Sequence, residues 1–495
     1  MRPNKSQQYF LSVVLILAVG VLLRLVNLGA ESLRLDETQS VWQAAHSTQY
    51  IRDYMVKNVH LPLHNTLLHF WILHFGTGEK AVRLLSAIPG ILTLPVLFFL
   101  GKELFGKKTA LIALLFASFS PFWIWYSREI RMYTLLTLVT TLSYYLYVKI
   151  MKENKPIYYL FYILVNAVGM YTHYFFFLVL LVQGMFYLFK LNKKWEGSLN
   201  YSKKKQFLAL ILTGVVLAGI FAPWAVSLFT SYGSGSVAPV LARPTSFNVV
   251  LSFFEFTFGY QPEYLSSTLI SFWPIVILLG FLFLTKRKSP FTTGFELVVL
   301  GTVFPVFLIF FVSLVYTPMY LTRYLTTATP LFFLLLAWYL NEIVGKMKYV
   351  MIGLVFFTFV AALTIQFTSK DIPVRENYRE AISYIEENAG PRDIIVLSPA
   401  YTMFPFQYYY KGSSKVESVP IWNKKKGAIP ETTVERVQED AQILQKGHSR
   451  MFLLITMNLT GTDVVKNYFD TNYTKLDKRQ FSKDIWVHVY QAEYY

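Results

Sequence analysis

Two adjacent carboxylates, Asp36 and Glu37, are the residues best suited to chemistry, and they lie in the segment SLRLDETQSVW at residues 32–42. A carboxylate can accept a proton or bind a cation. Neighbouring side chains on a helix point about 100° apart, so both cannot face one reactive atom. The alternative is a pair of charges that reaches water from the edge of a membrane.

His60 and His64 stand four residues apart, a spacing that puts both rings on one face of a helix. Imidazole nitrogens bind metal ions, so the pair could hold a divalent cation together with Asp36 or Glu129. If Mg²⁺, Mn²⁺ or Zn²⁺ binds, the expected ligands are Asp36, Glu129 and His60. The alternative is the polar face of an interfacial helix, and the sequence requires no cofactor.

Two arginines near the ends of apolar segments could bind an anion. Arg323 precedes Tyr324, and its planar guanidinium can hold a phosphate with two hydrogen bonds. Arg131, in the segment SREIR, could pair with a carboxylate. The ordinary alternatives are a headgroup anchor for Arg323 and a loop ion pair for Arg131.

The composition is that of a protein with many membrane crossings. Of the 495 residues, 54% are hydrophobic, 18% aromatic and only 15% charged, whereas soluble domains carry about 25% charge. The absence of cysteine excludes disulfides, thiol catalysis and cysteine-bound zinc. The net charge of +17 comes largely from basic runs between apolar segments, so it indicates topology and predicts no nucleic-acid partner.

Apolar stretches long enough to cross ~30 Å of hydrocarbon predict about eleven transmembrane helices. They lie near 9–28, 84–101, 109–125, 132–149, 157–171, 174–190, 207–229, 268–285, 296–316, 324–341 and 349–367. The run at 61–75 is shorter and contains more polar residues. Counting it as a span would place the basic clusters that follow it on the outer side of the membrane. The positive-inside rule therefore predicts an interfacial helix there and a cytoplasmic N-terminus in the plasma membrane.

An odd number of spans places residues 368–495 on the outer face. Alternating helix and strand patterns in this tail predict a small α/β domain with a supporting or acceptor-binding role, after a membrane domain at 1–367. A capping box is expected at Thr432 and Glu435. The Gly/Ser-rich first half of the outer loop 230–267 is expected to close over a site as a lid.

The motifs RLDE, HLPL, YSREIRMY, YTHYFFFLVLL and RYLTTATPL occur in this order between residues 34 and 331. Taken together, they resemble the bacterial branch of the dolichyl-phosphate-mannose protein mannosyltransferase and aminoarabinose transferase family. This is glycosyltransferase family 39, which has the GT-C fold of integral membrane glycosyltransferases. The resemblance implies a mainly α, polytopic GT-C protein with interfacial helices in the outer loop 29–83.

The resemblance also implies an activity: inverting transfer of a mannose-like hexose or an aminoarabinose-like sugar from a polyprenyl phosphate to an acceptor on the outer face. Asp36 is then the expected base, and Leu35 and Trp42 should hold its helix on the membrane. Glu37 would orient the acceptor or brace a neighbouring loop, and Glu129 would hold the acceptor or a divalent ion; these three form the expected catalytic set.

The remaining expected site residues bind the donor or position the acceptor and the loops. The donor phosphate and carrier are assigned to Arg323, Arg131, Tyr324 and His173, and the positioning role to His60, His64 and Tyr126.

The expected partners are a polyprenyl-phosphate-linked sugar, the lipid bilayer and an acceptor that is a protein, a glycolipid or a cell-wall polymer. Two alternatives remain: a flippase or transporter for lipid-linked sugars, and a polysaccharide ligase or polymerase of the same architecture. A transporter needs polar features near the bilayer midplane, and the sequence shows none that is convincing.

Overall fold

The computed structural model describes residues 4–191, 195–199, 201–231, 241–271, 291–422, 430–457 and 461–492. A helical part comes first and a smaller sheet domain follows. The helices of the first part are α1 (Lys5–Leu25), α2 (Leu35–Ala44), α3 (Thr48–Lys57), α4 (Leu63–Phe75), α5 (Glu79–Phe105), α6 (Lys107–Phe119), α7 (Pro121–Ser127), α8 (Tyr133–Glu153), α9 (Pro156–Thr172), α10 (Phe176–Phe189), α11 (Lys203–Ser231), α12 (Ser246–Phe258), α13 (Glu263–Ile270), α14 (Thr293–Val315), a 3₁₀ helix (Thr322–Ala328), α15 (Thr329–Glu342) and α16 (Met347–Thr368).

Six of the described helices are long and apolar enough to cross a membrane, so the chain is a multi-pass membrane protein. They are α1, α5, α8, α11, α14 and α16. The bent pair α6 and α7 adds a seventh if it forms one crossing. The predicted spans at 157–171 and 174–190 correspond to shorter helices of 17 and 14 residues. The one at 268–285 falls mostly outside the described residues, so the count of eleven stays a prediction.

The bend between α6 and α7 measures 56° and has a clear local cause. Pro121 lacks a backbone N–H and starts a new helix, whose N-terminus is capped by the Ser120 hydroxyl at 3.1 Å from the Trp123 amide. The break leaves carbonyls at the end of α6 without helical partners. The buried guanidinium of Arg24 donates to two of them, Ala117 at 3.0 Å and Ser118 at 3.2 Å. After the bend, α7 ends at Ser127 and leads into the loop 128–132, which contains Glu129 and Arg131.

The segment between α1 and α5 contains three short helices, α2 to α4, rather than a further long span. Helix α4 has 13 residues. It is therefore about 20 Å long, too short for the ~30 Å of hydrocarbon in a bilayer. This agrees with the interfacial helix predicted for residues 61–75.

The C-terminal residues form a five-stranded mixed sheet with helices packed on it. In chain order the elements are α17 (Tyr378–Asn388), β1 (Ile394–Ser398), α18 (Met403–Tyr409), β2 (Lys415–Ser418), α19 (Val434–Leu444), β3 (Arg450–Thr456), α20 (Thr462–Asn472), β4 (Lys475–Gln480) and β5 (Ile485–Gln491). The strand order is β2-β1-β3-β5-β4. β1 lies parallel to β2 and β3, and β5 lies antiparallel to β3 and β4.

The predicted capping box in this domain is wrong by one residue. Helix α19 begins at Val434, and its N-cap is Thr433, whose hydroxyl accepts a hydrogen bond from the Arg436 amide at 3.3 Å. Two consecutive threonines offer equivalent caps, and only the backbone angles decide between them.

The apolar side of α2 packs on the C-terminal domain, which corrects the expectation that Leu35 and Trp42 hold this helix on the membrane. Leu35 packs against the domain's apolar cluster that contains Tyr378 and Phe406. The Trp42 ring lies 5.1 Å from the ring of Phe404. Hydrophobicity alone predicts burial, and here the burying surface is protein.

The predicted lid, the first half of the loop 230–267, lies largely outside the described residues, since 232–240 are not among them. The second half of the loop forms α12 and α13.

Candidate active site

An ion pair between Asp36 and Arg323 lies at the centre of the site. Asp36 Oδ2 and Arg323 Nη1 are 3.2 Å apart, although the residues are 287 positions apart in sequence. Asp36 stands in the first turn of α2, and Arg323 in the 3₁₀ helix before α15. Their side chains are 28% and 29% exposed, so the pair is open enough to meet a ligand.

The charges around Asp36 keep it ionised. Burial alone would raise the pKa of Asp36, but the positive charges of Arg131, Arg323 and Arg34 outweigh that effect and hold the pKa well below its usual range. Asp36 is therefore a carboxylate at neutral pH, in a state to accept a proton.

Glu37 points away from Asp36, as adjacent positions on a helix require, and is fully buried. The Arg83 guanidinium holds its carboxylate with two hydrogen bonds, Nε at 3.1 Å and Nη2 at 2.9 Å. Glu37 also accepts a hydrogen bond from the Ile130 amide at 3.1 Å. Of the two roles expected for Glu37, this placement favours bracing the loop 128–132 over contact with an acceptor.

Arg34 lies between two carboxylates from different parts of the chain. Its Nη1 is 3.3 Å from Glu129 Oε2, and its Nε is 3.7 Å from Glu376 Oε1. Burial raises the pKa of Glu129, and the charge of Arg34 opposes this rise. Glu129 therefore faces Arg34 rather than Asp36.

Arg131 and Arg323 place two guanidinium groups near the Asp36 carboxylate. Arg131 donates through Nη1 to the Ser40 hydroxyl at 3.2 Å. In the described part of the chain, the Nε atoms of both arginines are buried without a hydrogen-bond partner. Buried donors of this kind are usually satisfied in proteins, so an anionic ligand fits this position.

Aromatic rings and a neutral histidine line the same region. The His173 ring lies 5.2 Å from that of Tyr324 and 6.4 Å from that of Tyr133. Burial, with the nearby His60 and Arg131, lowers the pKa of His173 to about 3. Its Nδ1 accepts from the Phe175 amide at 3.1 Å, so the neutral ring carries its proton on Nε2. His173 can therefore donate a hydrogen bond to a ligand.

Two of the residues expected to position the loops are held by neighbouring side chains. His64 is buried, with Nδ1 3.2 Å from Asn65 Oδ1, and burial lowers its pKa to about 4. Asn65 in turn donates to Gln43, which ties α4 to α2. The Tyr126 hydroxyl bonds with that of Tyr260.

The third of these residues, His60, bears on the metal prediction. His60 is exposed, and its Nδ1 lies 3.1 Å from the Val59 carbonyl oxygen. Over the described ranges, no three His, Asp or Glu side chains are grouped to hold a metal ion. Asp36 and Glu129 face Arg323 and Arg34 instead. The donor set expected for a divalent cation is therefore not assembled, and no step is assigned to a metal.

Sequence patterns missed four residues at the site: Arg34, Arg83, Tyr133 and Glu376. Arg34 stands inside RLDE, and Arg83 is a charge at the start of a long apolar helix, which are usable signals. Glu376 has no local signal, because its position depends on how the C-terminal domain packs.

An apolar groove of ≈ 620 Å³ runs between α9, α10 and α11. Its lining includes Met170, Phe177, Leu217 and Phe221. Phe177 is four residues from His173, so the groove reaches the end of the helices at which the site lies. Its shape and apolar lining suit a hydrocarbon chain.

The arrangement of helices is that of the GT-C membrane glycosyltransferases. The chain is similar to ArnT from Cupriavidus metallidurans in the apo state, with 12% identity and a TM-score of 0.57 over 96% of this chain and 97% of that one. It is equally similar to the same protein bound to undecaprenyl phosphate, with 13% identity, the same coverage and a TM-score of 0.57. An archaeal oligosaccharyltransferase, AglB from Archaeoglobus fulgidus in complex with an inhibitory peptide and a dolichol-phosphate, gives 11% identity and a TM-score of 0.52 over 98% of this chain and 74% of that one.

The family model of dolichyl-phosphate-mannose-protein mannosyltransferase matches residues 59–227. No curated protein matches the chain in sequence. The resemblance to the family of protein mannosyltransferases and aminoarabinose transferases, first indicated by the motifs, is therefore confirmed.

Replacing Asp36 and replacing Glu37 should affect the stability of the protein to different extents. Glu37→Ala leaves Arg83 buried without its charged partner, which costs about 3–5 kcal/mol, whereas Asp36→Ala breaks a pair whose side chains are 28% and 29% exposed, which costs less. We expect a much larger drop in melting temperature for Glu37→Ala, measured on detergent-solubilised protein. Equal drops would contradict the structural role given to Glu37.

Proposed function

We propose that the protein is an inverting glycosyltransferase that moves a sugar from a polyprenyl-phosphate carrier to an acceptor hydroxyl at the outer face of the plasma membrane. The observation that carries this proposal is the ionised Asp36 within 3.2 Å of Arg323, beside Arg131. A proton acceptor and a phosphate-binding cation thus share one small volume. Solved structures of the similar ArnT and AglB proteins hold undecaprenyl phosphate and dolichol-phosphate, which supports a lipid-linked donor.

The reaction needs one displacement. The acceptor oxygen attacks the anomeric carbon and its proton passes to the Asp36 carboxylate, while the bond from the anomeric carbon to the phosphate oxygen breaks. The electron pair leaves with the polyprenyl phosphate, whose growing negative charge is stabilised by Arg323 and Arg131. Attack from the face opposite the phosphate inverts the anomeric centre, so no second carboxylate is required as a nucleophile.

Donor binding should make Asp36 a stronger base. Without ligand, the three arginines hold its pKa low, which also makes it a weak proton acceptor. A bound phosphate diester neutralises part of the charge of Arg323 and Arg131. The pKa of Asp36 then rises, and the base gains strength at the time it is needed.

The other site residues then have supporting roles. The neutral His173 donates a hydrogen bond to the donor phosphate or sugar, with Tyr324 beside it, and the polyprenyl chain occupies the apolar groove next to α10. Glu37 and Glu129 hold Arg83 and Arg34 in place. His60, His64 and Tyr126 position the loops that an acceptor approaches.

The membrane orientation remains that expected from the sequence, with a cytoplasmic N-terminus and the C-terminal domain outside. The sugar is a mannose-like hexose or an aminoarabinose-like pentose, and the acceptor is a protein, a glycolipid or a cell-wall polymer.

Asp36→Asn tests the base directly, because it keeps the shape and removes the proton acceptor. Turnover should fall by ~10²–10⁴-fold while donor binding survives. The matched control is Asp53→Asn, the same change at an exposed aspartate of the same outer loop, which should leave turnover unchanged. Turnover by Asp36→Asn within a few-fold of wild type would remove the catalytic assignment.

Arg323 is expected to bind the donor phosphate. Arg323→Ala should weaken donor affinity at least ~10-fold, and Arg323→Lys should restore only part of it, because the two-pronged guanidinium is lost. Arg52→Ala, at an exposed arginine of the outer loop, is the control. Unchanged donor affinity in both Arg323 variants would contradict phosphate binding and favour the alternative role, in which Arg323 anchors the helix at the lipid headgroups.

The pH profiles should differ between the free and the donor-bound enzyme. Asp36 works in its deprotonated form, so activity is lost as pH falls through its pKa. That pKa is low in the free enzyme, reported by kcat/KM, and higher in the donor complex, reported by kcat. The acid limb of kcat should therefore lie at higher pH than that of kcat/KM. Coincident limbs would contradict the coupling between donor and base.

A further inference from the structure

Glu376 is a carboxylate of the C-terminal segment that reaches the start of helix α2. It lies between the end of α16 at Thr368 and the start of α17 at Tyr378. Its side chain is 17% exposed, so the fold rather than solvent surrounds most of it. No other part of the proposed chemistry uses this group.

The two oxygens of Glu376 have different partners at the site. Oε2 accepts a hydrogen bond of 2.7 Å from the amide of Leu35, the first residue of α2. Oε1 lies 3.7 Å from Nε of Arg34. The first amides of a helix have no partner within the helix, and a negative charge there is favourable for its dipole. Glu376 thus caps the helix that carries Asp36 from a point 341 positions away in sequence.

Further contacts join the C-terminal domain to the segment just before α2. The Tyr409 hydroxyl accepts a hydrogen bond from the Leu33 amide at 2.6 Å. The Arg379 amide donates to the Ser32 hydroxyl at 3.1 Å, and Arg379 Nη2 donates to the Glu31 carbonyl oxygen at 3.1 Å. With Trp42 packed on Phe404 at the other end of α2, the domain holds both ends of the helix.

We infer that the C-terminal domain sets the position of the base, with Glu376 as the positioning residue that fixes the first turn of α2. This inference rests on the proposed function, in which Asp36 is the base. Asp36 is one residue past Leu35, so a shift of that amide moves the carboxylate relative to Arg323. A displacement of about 1 Å can reduce a rate by ~10²-fold. The domain therefore acts on the chemical step as well as on any acceptor it binds.

The test compares Glu376→Ala, Glu376→Gln and Glu380→Ala in the full-length protein. Glu376→Ala should reduce kcat by about 10–100-fold and leave the donor KM within about threefold, because it disturbs the base and not donor binding. Glu376→Gln keeps an oxygen for the Leu35 amide and should lose less. Glu380 is an exposed glutamate in the first turn of α17, and its alanine variant is the matched control, expected at wild-type kcat.

A second readout does not depend on activity. Hydrogen exchange of the α2 amides should be faster in Glu376→Ala than in wild type, while exchange in β1 stays unchanged. If the wild-type protein transfers no sugar from a polyprenyl phosphate, the proposed function fails, and the exchange rates still decide whether Glu376 fixes α2. A kcat within about twofold of wild type, or unchanged exchange in α2, would overturn the inference. If Glu376→Ala does not fold, both readouts are taken on Glu376→Met, which fills a similar volume but also removes the acceptor of the Leu35 amide, with the same criteria.

Discussion

Buried charge must be paired, and this requirement organises the end of the helical bundle at which α2 lies. Glu37 with Arg83, and Glu129 with Arg34, are pairs whose side chains are at most 15% exposed, and removing one partner from such a pair is costly. They fix the loop 128–132 and the start of α2 relative to α5. The pair of Asp36 and Arg323 is about twice as exposed as Arg34, so it is the more accessible pair to a ligand.

The same electrostatics link binding to chemistry. The three arginines around Asp36 favour the binding of a phosphate. They also lower the pKa of Asp36, which makes it a weak base in the absence of a ligand. In the proposed mechanism, the phosphate of the donor pairs with the arginines and thereby raises the pKa of Asp36. Under this proposal, a residue with a low pKa in the free protein becomes a stronger base in the donor complex.

The general form of the fold could be predicted because the lengths of the apolar segments and the order of the motifs can be determined from the sequence alone. The divergence of Asp36 and Glu37 followed from helix geometry alone. The contact partners of these residues could not be predicted, because they depend on tertiary packing. The sequence near Glu376 does not indicate that this residue caps α2. The hydrophobicity of Trp42 does not indicate that it packs against Phe404 rather than lipid. The sequence of strand β4, KLDKRQ, does not indicate a strand, because it is an exposed edge strand without an apolar pattern.

The measurement closest to the central claim follows a radiolabelled sugar on a polyprenyl phosphate, incubated with the purified protein in proteoliposomes and with candidate acceptors. Transfer predicts that label appears on an acceptor in the opposite anomeric configuration and that free polyprenyl phosphate forms in equal amount. Movement of intact labelled donor across the bilayer, with no free polyprenyl phosphate formed, would show a flippase instead and would contradict the account.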